Sequence, residues 1–237
     1  MILFRYALLV LSFAAVSARA ADVDKTLDIL HDAGAKVQSL AADVELTTTD
    51  MGTGNDSVDR GRIVMQRLPD GDTRARITFT EHVVNSRLRK VRRDFLLADG
   101  KLIEQNEDAK QKTQVTRQMR RPGEKIDLFK LGQGPFPLPI GQSKEAVHEQ
   151  FDVAVGDADN VVTLSPRKGT PLYPKFRSVT VTVDPAIGMP TTIQTIDPNG
   201  GEKKTVVLKN LRLNDAVKDE EFILPPTDDK TWSLRDE

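Results

Sequence analysis

The stretch of sequence that decides the fold is GRIVMQRLPDGDTRARITF, which spans Gly61 to Phe79. In each half of this stretch, apolar and polar side chains alternate with a period of two. In the first half, the apolar residues Ile63 and Met65 alternate with the polar residues Arg62 and Gln66. In the second half, the apolar residues are Ala75, Ile77 and Phe79, and the polar residues between them are Arg74, Arg76 and Thr78. This period is typical of strands with one apolar and one polar face. The residues from Pro69 to Asp72 form a turn signal, and so short a connection favours antiparallel pairing.

The same alternation extends in both directions from this hairpin. Ala42, Val44 and Leu46 alternate with polar residues upstream, and Asp99-Gly100 marks a further hairpin downstream. Further strands are predicted at 114–119, 161–164, 176–183, 191–196 and 205–213. Because an open sheet of about ten twisted strands tends to curl, we predict a mainly β (α+β) fold. Its centre is a strongly curved antiparallel sheet, an incomplete barrel with an apolar concave side.

Two segments depart from the strand pattern, and we expect both to cover the concave face. The first runs from Val23 to Leu40 and has apolar residues at helical spacing. The second, about 126–150, is apolar and interrupted by three prolines, and Ser143 can cap a short helix at its end. A proline-broken apolar segment cannot join the sheet, so we interpret it as a lid.

The first twenty residues have the pattern of a cleaved export signal. Arg5 precedes an apolar run from Ala7 to Val16, and Ala18-Arg19-Ala20 supplies the small residues that a signal peptidase recognises. We therefore predict export with cleavage after Ala20, and a single domain over residues 21–237.

Charge and cysteine content exclude several classes of function. Loss of Arg5 and Arg19 takes the formal net charge from -1 to -3, which argues against nucleic acid as a partner. The chain has no cysteine, so disulfides, thiolate metal sites and a cysteine nucleophile are excluded.

The sequence shows no pattern that predicts catalysis. His31, His82 and His148 are isolated from one another, and Gly141 to Glu145 resembles a nucleophile elbow without its closing glycine. We therefore predict a protein that is not an enzyme and that uses neither a cofactor nor a metal ion.

The candidate binding residues are of two kinds: strand residues that the alternation predicts to face the concave side, and apolar residues of the lid segment. Arg67 shares the parity of Ile63 and Met65, so its side chain should reach the rim of the concave face or bond to the lid. It is either an arginine at a fraying strand end or a latch that holds an empty cavity closed. The predicted cavity residues are Val44, Leu46, Ile63, Met65, Arg67, Ile77, Phe79, Phe129, Phe136 and Leu138.

Five cations occur in the seven residues from Arg87 to Arg93. One interpretation is the solvated face of a strand. The other is a docking patch for an acidic partner protein or for anionic lipid headgroups.

Several of these stretches, in this order, resemble the LolA family of periplasmic lipoprotein carriers. The stretches are the first helix leading into Val44-Glu45-Leu46, then Gly61–Arg67, Ala98–Lys101, Gly134–Leu138, Val162–Pro166 and Asn214–Pro226. The resemblance implies a half-barrel of about eleven strands with a helical lid, and a cavity for the acyl chains of lipoproteins. It also implies that the functional arginine of the family corresponds to Arg67.

We therefore expect a soluble, monomeric periplasmic carrier that delivers lipoproteins to the outer membrane. By resemblance, its partners would be an inner-membrane ATP-driven releasing complex and an outer-membrane receptor. The alternatives are a periplasmic carrier of other lipids and a lipoprotein-sensing regulatory domain like RseB. A third alternative, a secreted hydrolase, would need an active site assembled from residues distant in sequence.

Overall fold

The computed structural model describes residues 23–107, 111–120, 124–125, 127–129, 140–228 and 230–237. The predicted signal peptide 1–20, with its cleavage point after Ala20, lies outside the described residues. So do Phe136, Leu138 and the other residues of 130–139, the middle of the predicted lid segment.

Two helices, twelve strands and one short 3₁₀ helix make up the described part of the chain. Helix α1 covers residues 23–36, and α2 covers Lys144–Gln150. The strands are β1 Ser39–Asp50, β2 Asp56–Arg67, β3 Thr73–Val84, β4 Arg87–Ala98, β5 Lys101–Glu107, β6 Lys112–Gln118, β7 Phe151–Val155, β8 Val161–Pro166, β9 Ser178–Asp184, β10 Met189–Ile196, β11 Glu202–Leu213 and β12 Trp232–Asp236. The 3₁₀ helix is Asp219–Phe222.

All twelve strands form one curved sheet in the order β12-β6-β5-β4-β3-β2-β1-β11-β10-β9-β8-β7. Neighbours are antiparallel except β12, which runs parallel to β6. The two outermost strands, β12 and β7, do not pair with each other, so the sheet stays open. The predicted mainly-β incomplete barrel is confirmed. The sheet exceeds the expected eleven strands by β12, a strand of five half-buried to exposed residues that the sequence did not predict.

One continuous apolar core lies on the concave face. The inward residues of β1 to β3 and of β7 to β11 contribute mostly aliphatic side chains to it, and Val23, Leu27 and Leu30 of α1 pack against them. Burial of these side chains is the main favourable free-energy term. Helix α1 ends before Val37, so Leu40 belongs to β1 and the predicted helix was drawn too long.

Helix α2 begins where the sequence placed its cap. The side-chain oxygen of Ser143 accepts a hydrogen bond from the backbone N–H of Ala146 at 3.3 Å. Val147 is the buried residue of this helix, and it joins the concave core. Ser143 is therefore a structural cap.

A strap, residues 214–226, crosses the convex face of the sheet. Phe222 is buried there with Ala41, Val64 and Leu96. Arg74 lies with its guanidinium carbon 4.1 Å from the centre of the Phe222 ring. Arg76 donates to the carbonyl oxygen of Ile223 at 2.7 Å. Two arginines of β3 thus hold the strap in place.

Asp94 of β4 is the buried anion under this attachment. Its side chain is 1% exposed and accepts from Arg76 at 2.7 Å. Burial raises the pKa of Asp94, but hydrogen bonds from Thr78, Arg76 and Arg92 outweigh it and hold the pKa below its usual value. Arg76 is thereby fixed in position to bind the strap.

A bulge in β3 changes which residues face inward. In the pairing of β2 with β3, Gly61 lies opposite Phe79 and Arg60 lies opposite Glu81. Thr80 of β3 therefore has no partner residue in β2 and is the extra residue of the bulge. A Cβ atom on Gly61 would fall on the carbonyl group of Thr78, so only glycine fits there. Because of this extra residue, the next residue of β3 after Phe79 whose side chain faces the concave side is His82, and not Glu81.

We expect Gly61→Ala to lower the free energy of unfolding by more than about 2 kcal/mol, because the strands must separate to admit the methyl group. Urea denaturation measures the change. The matched control is Gly201→Ala, since a Cβ there would meet open space. Equal effects of the two substitutions would contradict the close approach at Gly61.

We expect Asp94→Asn to lower the free energy of unfolding by about 3 kcal/mol at neutral pH, because Arg76 and Arg92 lose a buried counter-charge. The folded-state pKa of Asp94 is lowered, so its contribution is present above its unfolded pKa of about 3.9. It is lost as the pH falls through the folded-state value. Denaturation curves of both proteins should converge in acid, whereas an undiminished difference would contradict this role. Glu81→Gln, at an exposed ion pair with Lys90, is the control with little expected change.

Candidate functional site

The predicted cavity residues that the structure describes lie together on the concave face. Val44, Ile63, Met65, Ile77 and Phe79 are each at most 3% exposed. They come from three adjacent strands whose register aligns their inward positions. Leu46 is half-buried and packs against the same cluster. The concave face is therefore apolar where the sequence predicted it.

The described ends of the lid segment are buried against this face. Leu128, Phe129 and Ile140 are at most 2% exposed and belong to the concave core. The backbone N–H of Leu128 donates to the hydroxyl of Thr73 at 2.8 Å. Residues 127–129 thus form one root of the lid, at the start of β3.

Arg67 joins the sheet to this lid root. It is the last residue of β2, and its backbone N–H donates to the carbonyl of Gln38 at 2.7 Å. Its guanidinium carbon lies 5.0 Å from the centre of the Phe129 ring. One guanidinium nitrogen, Nη2, lies 3.6 Å from Oδ1 of Asp127. The side chain is about one-fifth exposed, so it reaches the rim, where its charge stays hydrated in part.

The contacts of Arg67 are weak enough to be reversible. A cation over an aromatic ring stabilises by about 0.5–2 kcal/mol, and a partly exposed ion pair by about 1 kcal/mol or less. Asp127 is the partner that sequence reasoning missed. A carboxylate directly before the apolar lid residues was the available signal, but its distance from Arg67 depends on the tertiary fold.

The convex face also carries a groove, of about 590 Å³, beside the strap. Its walls hold charges that are already paired: Arg60 with Glu45 at 2.8 Å, and Arg62 with Glu221 at 3.3 Å. Hydrogen bonding from Arg60 lowers the pKa of Glu45. This groove has charged side chains on its walls and opens on the face of the sheet opposite the predicted site.

The histidines lie apart, each with its own partner. His31 Nδ1 is 3.3 Å from the carbonyl oxygen of Gly141, and His148 Nε2 is 2.8 Å from Asp24. His82 Nδ1 is 2.6 Å from Asp59. The described residues contain no group of three or more acidic, histidine or cysteine side chains that could hold a metal ion. Among the helices of the described ranges, none combines the length and the apolar character needed to cross a membrane.

An open curved sheet with a helix and a lid root on its concave face is the architecture that the sequence resemblance implied. No protein-family model matches the chain, and no curated protein does.

Among solved structures, the chain is similar to MucB of the Pseudomonas aeruginosa MucA/MucB complex, with 14% identity and a TM-score of 0.45. That match covers 86% of this chain and 61% of MucB, so the chain spans less than two-thirds of MucB. A putative outer-membrane lipoprotein-sorting protein domain from Vibrio parahaemolyticus matches with 13% identity, a TM-score of 0.39 and coverage of 84% and 97%. A LolA superfamily protein from Nitrosomonas europaea matches with 11% identity, a TM-score of 0.36 and coverage of 85% and 97%. Likenesses this distant do not say what this chain binds.

We expect Arg67 and Phe129 to be energetically coupled by about 1 kcal/mol, because the cation lies over the ring. The measurement is a double-mutant cycle of Arg67→Met and Phe129→Leu, read by urea denaturation. The control cycle pairs Phe129→Leu with Arg62→Met, on the convex face of the same strand, and should be additive within about 0.5 kcal/mol. Equal coupling in both cycles would contradict a specific contact.

Proposed function

We propose that this protein is a periplasmic carrier that binds the acyl chains of lipoproteins against its concave face and delivers them to the outer membrane. The observation that supports this most is the way the apolar face is covered. Its cover consists of α1 and the lid root, and neither is hydrogen-bonded into the sheet ladder. A cover of this kind can move aside while the sheet keeps its hydrogen bonds.

The energetics suit a carrier. Each buried methylene group contributes about 0.8 kcal/mol, so part of one acyl chain gives useful affinity. A closed state stabilised by Arg67 competes with cargo. The apparent affinity for cargo is then the affinity of the open state multiplied by the fraction of molecules that are open. This competition favours release at the point of delivery.

In this proposal the protein is exported by its signal segment and binds its cargo without chemical catalysis or a cofactor. Its partners are a complex in the inner membrane that loads it and a receptor in the outer membrane that unloads it. A pull-down from cell envelopes distinguishes this role from sensing. Recovery of transport components favours the carrier, and recovery of a signalling protein favours the RseB-like alternative.

The first experiment asks whether the purified protein carries acyl chains. We expect native mass spectrometry of protein taken from the periplasm to show added masses of acylated species. Apolar dyes such as phenylnaphthylamine should bind to the delipidated protein, and lipoprotein should displace them. Cargo-free protein that also fails to bind the dye would overturn the proposal.

We expect Arg67→Leu to fold normally but to hold its cargo or fail to hand it over, because the closed state loses its cation contacts. The measurement is transfer of bound lipoprotein to outer-membrane vesicles, with the melting temperature as the folding check. Arg62→Leu removes an arginine from the opposite face of β2 and should transfer normally. Wild-type transfer by Arg67→Leu would remove the latch role.

A further inference from the structure

The concave face is not apolar throughout. Next to Phe79 and Phe95, on the side toward the β3–β4 hairpin, it has a corner of polar residues. These two rings meet edge to face, with centroids 6.1 Å apart. Arg93 lies directly across from Phe79 in the ladder, and His82 lies across from Asp59. Since the bulge at Thr80 restores His82 to the inward side, these polar residues share the face of the aromatic pair.

Three of these side chains form one hydrogen-bonded cluster. Asp59 is 7% exposed and lies 2.6 Å from Nδ1 of His82. Nη2 of Arg93 donates to the same Asp59 oxygen and lies 3.1 Å from His82 Nδ1. The side chains of Arg93 and His82 are about one-quarter exposed, so both remain accessible beside the buried carboxylate.

Two further arginines extend the corner along β4. The register of β3 with β4 shifts between Phe79 and Glu81, so the side on which residues 87 and 89 lie is set by their partners in β3. Arg89 lies across from His82, and Arg87 lies across from Val84. Both arginines are exposed, and in the described part of the chain no carboxylate lies within ion-pair distance of either.

The other two cations of the basic segment have a different role. Lys90 and Arg92 face the convex side, where Lys90 pairs with Glu81 and Arg92 with Asp94. The segment 87–93 is therefore divided by its alternation. Its convex cations are paired, and its concave side presents three guanidinium groups.

Charge on the concave corner is unbalanced in favour of cations. Three arginines face a single buried carboxylate, Asp59, which Arg93 already engages. Nearby Glu104 pairs with Arg117. Asp50, at the end of β1, accepts hydrogen bonds from the backbone of its own turn. Unpaired guanidinium groups bind phosphate well, because their planar donors match its oxygens.

We infer that this corner, Arg87, Arg89 and Arg93 with His82, binds the phosphate of an anionic lipid headgroup. This inference rests on the proposed function, because it takes the apolar part of the concave face as the site of the acyl chains. The ligand lies with its chains beyond Phe79 and Phe95 and its phosphate toward the tip of the β3–β4 hairpin. Because the diacylglyceryl anchor of a lipoprotein carries no phosphate, acidic phospholipids are then a second class of cargo on the same apolar face. The corner selects them over neutral lipids with the same chains.

The experiment compares two lipids that differ only in the headgroup. Dioleoyl phosphatidylglycerol and dioleoylglycerol are each used to displace phenylnaphthylamine from the delipidated full-length protein. We expect the phospholipid to bind about tenfold more tightly. In the Arg89→Glu variant, this preference should disappear while binding of dioleoylglycerol is retained. Arg89 is exposed, so the variant should keep its melting temperature.

The matched control is Lys90→Glu, the same charge change at the neighbouring residue on the opposite face. It should keep the preference for phosphatidylglycerol, and loss in both variants would overturn the assignment to the concave corner. Equal binding of the two lipids to the wild-type protein would overturn the headgroup site and leave the carrier function standing. Binding of neither lipid, with no binding of the dye, would overturn the carrier function itself. If inorganic phosphate displaces phosphatidylglycerol, the corner is a site for free anions and the lipid assignment is wrong.

Discussion

Burial of the apolar concave face is the constraint on which the rest of this structure depends. A sheet of twelve strands curves without closing, so the aliphatic side chains on its inner side have no opposite wall of strands. Water must be excluded by other means. Helix α1 and the lid root supply that cover. Both pack their apolar side chains on the sheet, and the lid root adds a hydrogen bond to Thr73 and an ion pair with Arg67. The cover is therefore built from segments that are not strands of the sheet.

The two faces use arginine in opposite ways. On the convex face, Arg74 and Arg76 hold the strap, with Asp94 buried beneath them as a counter-charge. That attachment is multiply hydrogen-bonded and therefore strong. On the concave side, Arg67 holds the lid root through one ring and one partly exposed carboxylate. The buried carboxylate of Asp94, 2.7 Å from Arg76, makes the strap attachment the stronger of the two, because the carboxylate of Asp127 is 3.6 Å from Arg67 and partly exposed.

The bulge at Thr80 divides the inner surface into two chemical regions. Between the bulge and the turn that joins β2 to β3, the inward residues of the two strands are mostly apolar. On the other side of the bulge, toward the β3–β4 hairpin, the inward residues include Asp59 and His82. Gly61 permits this change because the backbone of β3 comes too close to leave room for a side chain. One extra residue in one strand thus gives the concave face a polar end beside its apolar floor. A surface of that kind fits an amphiphile better than a purely apolar ligand.

The sequence by itself determined all strands except β7 and β12, the concave or convex side of most of their residues, the side on which Arg67 lies, and the capped helix at Ser143. All of these follow from local alternation and local hydrogen bonding, which neighbouring residues fix. Only the tertiary structure decided that Asp127 and Phe129 meet Arg67, that Thr80 shifts the register, and that Trp232–Asp236 adds a twelfth strand. These depend on which distant segments pack together and in what register, and no local pattern encodes that choice.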